Sequence, residues 1–291
     1  MTRLVRIVIL NIPIVLLASV LLGVSVPFDD TVRTSPTQPW DFRGSGLFTV
    51  MMVLLLLSSS GTLRGGVGLV VGFGALLTLF FLVLVELRRQ SPVIPVRWFK
   101  DLVFSVTSAI TILTNLVMYV ALYGIPVLLE TRRHISVSAS GFMLLIFAGV
   151  MALISPLGGQ LARRRARRGP FLGANGILVV ASFILWIGRV APLSVIGVAL
   201  ALLGVSFAVS NVVLQQMVLE LAPPTESGSA SGLYSLLRYV GTMASSVVIA
   251  RAFATAASTD ILYVSLMMAS GLSFILSFAV PRQKALSTVS R

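Results

Sequence analysis

Long apolar runs, broken by short polar and basic interruptions, recur from one end of the chain to the other. About 20 such residues cross a hydrocarbon core, and in lipid they must be helical, because only a helix satisfies its own backbone groups there. Nine stretches meet this requirement: Ile7 to Val26, Ser45 to Ser60, Val67 to Leu87, Leu102 to Leu128, Ala139 to Leu161, Phe171 to Ile187, Leu193 to Leu219, Leu233 to Ala250 and Ile261 to Val280. The expected fold class is therefore all-α, a polytopic membrane protein of about nine transmembrane helices. The first stretch, preceded by Arg3 and Arg6, is too long for the apolar core of a secretory signal and no small-x-small cleavage site follows Val26, so it is read as a span.

Composition agrees with this pattern. Hydrophobic residues make up 57 % of the chain and charged residues 11 %, and the mean hydropathy is +1.01. Soluble domains carry about a quarter charged residues. The formal charge of +13 lies in short loops without interleaved aromatics, which excludes a nucleic-acid partner and points to topology and anionic headgroups. The chain has no Cys, and its single His134 has no second ligand nearby, so neither thiol chemistry nor a metal site is expected. Neither an acid pair within a span nor a base beside Ser229 or Ser231 offers catalytic chemistry, which excludes an enzyme.

Five arginines, Arg163, Arg164, Arg165, Arg167 and Arg168, crowd into one short interruption between the fifth and sixth spans. A short loop that basic belongs on the cytoplasmic side. Counted on alternate loops from that anchor, fourteen of the 22 Lys and Arg fall inside and seven outside, with Arg238 within a span. The C-terminus is then cytoplasmic and the N-terminus outside. Such a start places Arg3 and Arg6 on the disfavoured side. Together with the odd number of spans, this leads to the expectation of a truncated chain whose missing upstream spans would set the orientation.

Polar residues inside the spans supply the candidate site. Thr111, Asn115, Tyr119 and Tyr123 recur every fourth position on one slowly rotating face of the fourth span. In the seventh span, Gly197, Ala201, Gly204 and Ala208 form a small-residue seam that permits close helix approach. Ser206, Ser210, Asn211 and Gln215 run beside that seam. Stripes of this kind are placed either by a watery cavity or by hydrogen bonding between helices. Arg238 should be paired, hydrated or drawn toward the membrane surface, with Glu220 or Glu226 as possible anchors and an anionic substrate or lipid as the alternative. All nine carboxylates lie at span ends or in loops, so no acid for proton coupling sits at mid-membrane.

Four stretches carry a family resemblance. Arg6-Ile-Val-Ile-Leu-Asn-Ile-Pro13, the twin-proline link Glu86-Leu-Arg-Arg-Gln-Ser-Pro-Val-Ile-Pro-Val-Arg-Trp-Phe99, the loop Gly159-Gln-Leu-Ala-Arg-Arg-Arg-Ala-Arg-Arg168 and Gly228-Ser-Ala-Ser-Gly-Leu-Tyr-Ser-Leu-Leu-Arg-Tyr-Val-Gly241 occur in an order and at span intervals that resemble the major facilitator superfamily, in its fourteen-span drug:proton antiporter branch. The third matches the cytoplasmic loop motif at Gly159, Leu161, Arg164, Arg167 and Arg168, but Arg163 replaces its Asp and Ala166 its Gly. An arginine in that place removes a partner from the charge network the motif supports.

The resemblance implies that the chain corresponds to spans six to fourteen. Residues 1–28 would end an incomplete N-terminal half, 29–101 would hold a cytoplasmic link and two extra transmembrane helices, 102–281 would be one complete six-helix half, and 282–291 a cytoplasmic tail. It further implies proton-coupled efflux of a small amphipathic or cationic substrate across the plasma membrane. No bound cofactor is implied, and the proton gradient would be the driving force. The fourth and seventh spans would border the central cavity. A second polypeptide or a second copy would have to supply the other half, and a non-transporting remnant or scaffold is the alternative.

Overall fold

In the computed structural model, the described residues are Pro13, Leu16, Ser19 and Val20 and the stretches 42–59, 66–88, 96–163, 168–188, 191–223, 226–254 and 260–280. The chain divides into two units, Met1–Trp40 and Asp41–Arg291. The first predicted span and its Asn-Ile-Pro motif lie outside the described residues except for the four named, all of them helical.

Among the described residues there is no strand. The helices are α1 (Phe42–Ser59), α2 (Gly66–Arg88), α3 (Leu102–Tyr119), α4 (Ile125–Arg132), α5 (Val137–Arg163), α6 (Arg168–Ile187), α7 (Leu193–Leu221), α8 (Ser227–Ala254) and α9 (Asp260–Ser277). Six helices are long and apolar enough to cross a membrane, α3 and α4 counting together as Leu102–Arg132. They coincide with the last six predicted spans to within a few residues at each end, except that α8 begins at Ser227 rather than near Leu233. The polar opening of α8, Ser-Gly-Ser-Ala-Ser-Gly, lowers its hydropathy without preventing the helix.

Local chemistry sets the ends. Asp101 caps α3, its Oδ1 accepting from Val103 N at 2.6 Å and Phe104 N at 3.3 Å. Pro126 lacks an N–H and its ring crowds the carbonyl four residues back, which strains a regular α-helix at that point. The wider π turn Val120–Gly124 immediately before it absorbs the conflict and joins α3 to α4. Between α4 and α5, His134 adopts a left-handed φ of 52° at an exposed turn. Glu130 accepts from Ser140 Oγ across that turn, and Arg133 donates to Ala191 O at 2.7 Å.

α7 is the most buried of the six spans and α5 the least. α5 and α6 lie against α7, α9 against α6 and α3, and α8 against α3. The predicted small-residue seam is one of the joints: a Cβ on Gly204 would lie 2.7 Å from Phe147 O, and one on Gly158 would collide with Ala208 O. α3 and α8 meet in the same way, since a Cβ on Gly241 would collide with Ile112 O. Helices without side chains at the crossing can bring backbone to backbone, where dispersion and packing replace the hydrophobic drive that lipid abolishes. α1 and α2 pack on each other, and Met51, Met52 and Leu82 meet Val240 and Met243 of α8.

Gly204→Ala should lower the unfolding free energy in mixed micelles by about 1–3 kcal/mol through overpacking. Gly149→Ala, whose added methyl meets open space, should shift it by no more than about 0.5 kcal/mol. Equal melting behaviour of the two variants would contradict the backbone contact of α5 with α7.

Candidate functional site

The apolar core is divided along the helices. One cluster gathers Val117, Phe147, Leu178, Leu200, Leu203, Phe207, Leu262 and Leu266. The other gathers Phe104, Ile110, Phe171, Val213, Leu214, Met217, Leu233 and Leu237. In sequence along each helix, polar residues fall at the boundary between the two: Thr111, Thr114 and Asn115 on α3, Asn175 on α6, Ser206 and Ser210 on α7, and Ser270 and Ser273 on α9, all buried. On α8 the same boundary holds Arg238, Thr242 and Ser245.

Within this belt many polar groups are satisfied by the helices themselves. Thr111 Oγ1 donates to Thr107 O at 2.9 Å and Asn115 Nδ2 to Thr111 O at 2.8 Å. Ser206 Oγ donates to Ala174 O at 2.7 Å, bonding α7 to α6, and Ser273 Oγ to Asn175 Oδ1 at 2.7 Å, bonding α9 to α6. Tyr234 OH is shared between Asn211 O (2.8 Å) and Asn211 Oδ1 (2.7 Å), bonding α8 to α7. Three atoms on this belt are buried without a hydrogen-bond partner: Asn115 Oδ1, Ser210 Oγ and Arg238 Nε. Each leaves a desolvation cost uncompensated, about 1–3 kcal/mol for a neutral group and more for a charged one.

The sequence-predicted residues are thus distributed over different environments. Thr111, Asn115, Ser206 and Ser210 lie inside the helix packing. Tyr119 is half-buried and Tyr123 is 56 % exposed, their rings stacked with centroids 5.7 Å apart. The stripe leaves the core because each step of four residues turns an α-helix by about 40° past a full turn. Asn211 is half-buried and Gln215 exposed. The structure joins Asn211 to Arg238 through Tyr234, over whose ring the guanidinium carbon lies 6.0 Å from the centroid. That is within cation–π range.

Of the surroundings expected for Arg238, the structure records the Tyr234 ring beneath its guanidinium. Glu220 is nine residues beyond Asn211 on α7, about 14 Å along the axis, too far for the side chain to reach. Of the loop motif, Gly159 and Leu161 are half-buried near the end of α5, and Leu161 packs on the second core cluster. Arg168 starts α6 and donates to Phe278 O at 2.7 Å, holding the end of α9. Arg164 and Arg167 lie outside the described residues.

The uncovered faces of the helices differ in kind. α5 presents Phe142, Leu145, Leu153 and Leu157, α6 presents Val180, Phe183 and Trp186, and α9 presents Val264, Met268, Leu272 and Ile275. These are surfaces suited to acyl chains. On α8, Ser231, Ser235 and Ser246 are exposed and Arg238 and Thr242 half-exposed, at spacings of four, three, four and four that keep them on one face. Ser235, Thr242 and Ser246 hydroxyls turn back to carbonyls of their own helix at 3.0, 3.0 and 3.2 Å. That face is still too polar for lipid, where an arginine at mid-membrane costs about 2.5–3.5 kcal/mol on insertion scales.

The family model described as Major Facilitator Superfamily matches residues 7–246. The chain belongs to the Major Facilitator Superfamily. It is accordingly an integral, multi-pass membrane protein of a transporter family, not an enzyme. It is 32 % identical over 242 residues to the uncharacterized MFS-type transporter YwoD of Bacillus subtilis, a match covering 81 % of this chain and 52 % of that protein. It is 28 % identical over 160 residues to the multidrug resistance protein Stp of Mycobacterium tuberculosis, covering 54 % of this chain and 29 % of Stp. It is 24 % identical over 238 residues to the riboflavin transporter RibZ of Clostridioides difficile, covering 79 % and 50 % respectively. The chain spans about half the length of YwoD and RibZ.

Two features of this superfamily chain escape the sequence reading. Tyr234, on the opposite side of the loop from Asn211, carries no signal that the two meet. The polar stripe of α8 does carry one, the recurrence of Ser231, Ser235, Arg238, Thr242 and Ser246, but the apolar residues between them mask it in a hydropathy count. Replacing Tyr234 by Phe should cost about 0.6 kcal/mol of stability, and no more than about 1.7. A double-mutant cycle of Tyr234→Phe with Asn211→Ala, read by equilibrium unfolding in mixed micelles, should return most of that as coupling; zero coupling would place the two residues apart.

Proposed function

We propose that the chain is the C-terminal portion of a secondary transporter, about spans six to fourteen of the fourteen-span drug:proton antiporter branch, exporting small amphipathic compounds by alternating access between two halves. The observation that carries this is the polar, uncovered stripe of α8 beside apolar uncovered faces on α5, α6 and α9. A polar face that its own bundle leaves open calls for a watery cavity or a second protein surface, not for lipid. The family match, the name of RibZ as a riboflavin transporter and that of Stp as a multidrug resistance protein support the same reading.

In this proposal the cavity surface comprises the α8 stripe with Asn211 and Gln215 of α7 and Tyr123 at the π turn. Thr111, Asn115, Ser206 and Ser210 hold the belt behind it. The other half comes from the rest of a longer chain, a second polypeptide or a second copy. The described carboxylates Glu86, Asp101, Glu130, Glu220, Glu226 and Asp260 all sit at helix ends or in the loops beside them, so a proton-carrying acid at mid-membrane would belong to the other half. The bundle lies in the plasma membrane with the α5–α6 loop and the C-terminus cytoplasmic and the N-terminus outside, following the excess of Lys and Arg on that side.

Because the chain has no Cys, a single introduced thiol reports topology directly. A membrane-impermeant maleimide should label His134→Cys in intact cells and Ala166→Cys only after permeabilisation, and the reverse pattern would invert the orientation. Co-expression with an upstream half should give efflux of an amphipathic dye that collapses with the proton gradient, while the chain alone should give none. Inert behaviour in both conditions would favour a non-transporting scaffold.

A further inference from the structure

Among the described residues, Arg238 is the one charged residue placed well inside a span. It is the twelfth residue of α8, about 16 Å along the axis from Ser227 and so near the middle of a hydrocarbon core about 30 Å thick. Its Nε is buried without a partner, and the guanidinium rests over Tyr234. Tyr234 in turn is held by Asn211. A guanidinium whose position is fixed by an aromatic shelf but whose fork is not closed by a carboxylate is set up to receive one. The neighbouring hydroxyls of Ser231, Ser235 and Thr242 lie on the same face, and none of the described acids reaches it.

We propose that Arg238 anchors an anion site on the open face of α8, taking the carboxylate or phosphate group of an amphipathic molecule whose apolar part lies along the helices. The site rests on the transporter reading only in that both place this face toward a cavity. Lipophilic cations are disfavoured there, because an unneutralised guanidinium repels them in a medium of low dielectric. Tyr234 and Asn211 act as positioning residues that hold the guanidinium and do not touch the ligand.

The test uses the full chain in phosphatidylcholine nanodiscs, with dansyl-undecanoic acid as probe and its primary amide as the neutral control, both read by dansyl emission. The acid should bind at least about tenfold tighter than the amide, and Arg238→Gln should weaken the acid by roughly ten- to hundredfold while leaving the amide unchanged. Arg238→Lys, which keeps the charge and loses the fork, should fall between. An acid-to-amide ratio unaltered by Arg238→Gln, in a variant that melts and elutes as the parent does, overturns the proposal. The unmodified chain provides a second measurement: decyl phosphate should displace the acid probe and decyltrimethylammonium should not, and equal displacement by both overturns it as well. Including phosphatidylglycerol in the discs identifies the source. Competition with the probe makes the anion a lipid headgroup, and its absence a free amphiphile, with the site standing in either case. Binding without efflux in the two-part cells would sink the transport reading alone, and efflux with Arg238-independent binding would sink the site alone.

Discussion

Backbone contact between helices is what the bundle depends on. In lipid, bringing two helices together gains little from hiding apolar surface, so they stay together only where they can pack tightly or share hydrogen bonds. Gly158 and Gly204 open that contact between α5 and α7, and Gly241 opens it between α3 and α8. Gly158 and Gly204 thus join α5 to the α6–α7 pair and Gly241 joins α8 to the α3–α9 pair, and the two groups meet where α9 lies against α6. A methyl group at any of them would press on a main-chain oxygen, which cannot swing aside as a flexible side chain can.

Once the helices are this close, their polar residues have little choice of surroundings. Ser206 reaches the carbonyl of Ala174 and Ser273 reaches Asn175, so the polar belt supplies interhelical ties between two apolar clusters. Its satisfied members stiffen the bundle. Its unsatisfied ones, Asn115 Oδ1, Ser210 Oγ and Arg238 Nε, are a standing cost that a packed structural protein would have little reason to carry. The π turn ahead of Pro126 belongs to the same region, bringing Tyr119 and Tyr123 into a stack as the α3 face turns out of the core.

Much of the architecture was legible in the sequence, because the bilayer turns folding into a nearly one-dimensional problem. Length and hydropathy alone place Leu102, Leu193 and Ile261 at or within one residue of the starts of their helices. Four motif stretches in order were enough to indicate the family that the match over residues 7–246 bears out. The small-residue seam of the seventh span was readable for the same reason, as side-chain size at spacings of three and four is a local property.

The composition of the site was only partly readable. Polar residues every fourth position identify a face but not what lies opposite it, and Thr111 and Tyr123, at two ends of one stripe, finish in the core and on the surface. The pairing of Tyr234 with Asn211 joins residues 23 apart across a loop, and no periodicity encodes it. By itself, then, the sequence determined the last six spans, the small-residue seam and the family, since these follow from hydropathy, residue size and short motifs. Only the tertiary structure decided which polar groups satisfy one another and which, Arg238 above all, remain open, because that depends on the rotation of each helix against neighbours distant in the chain.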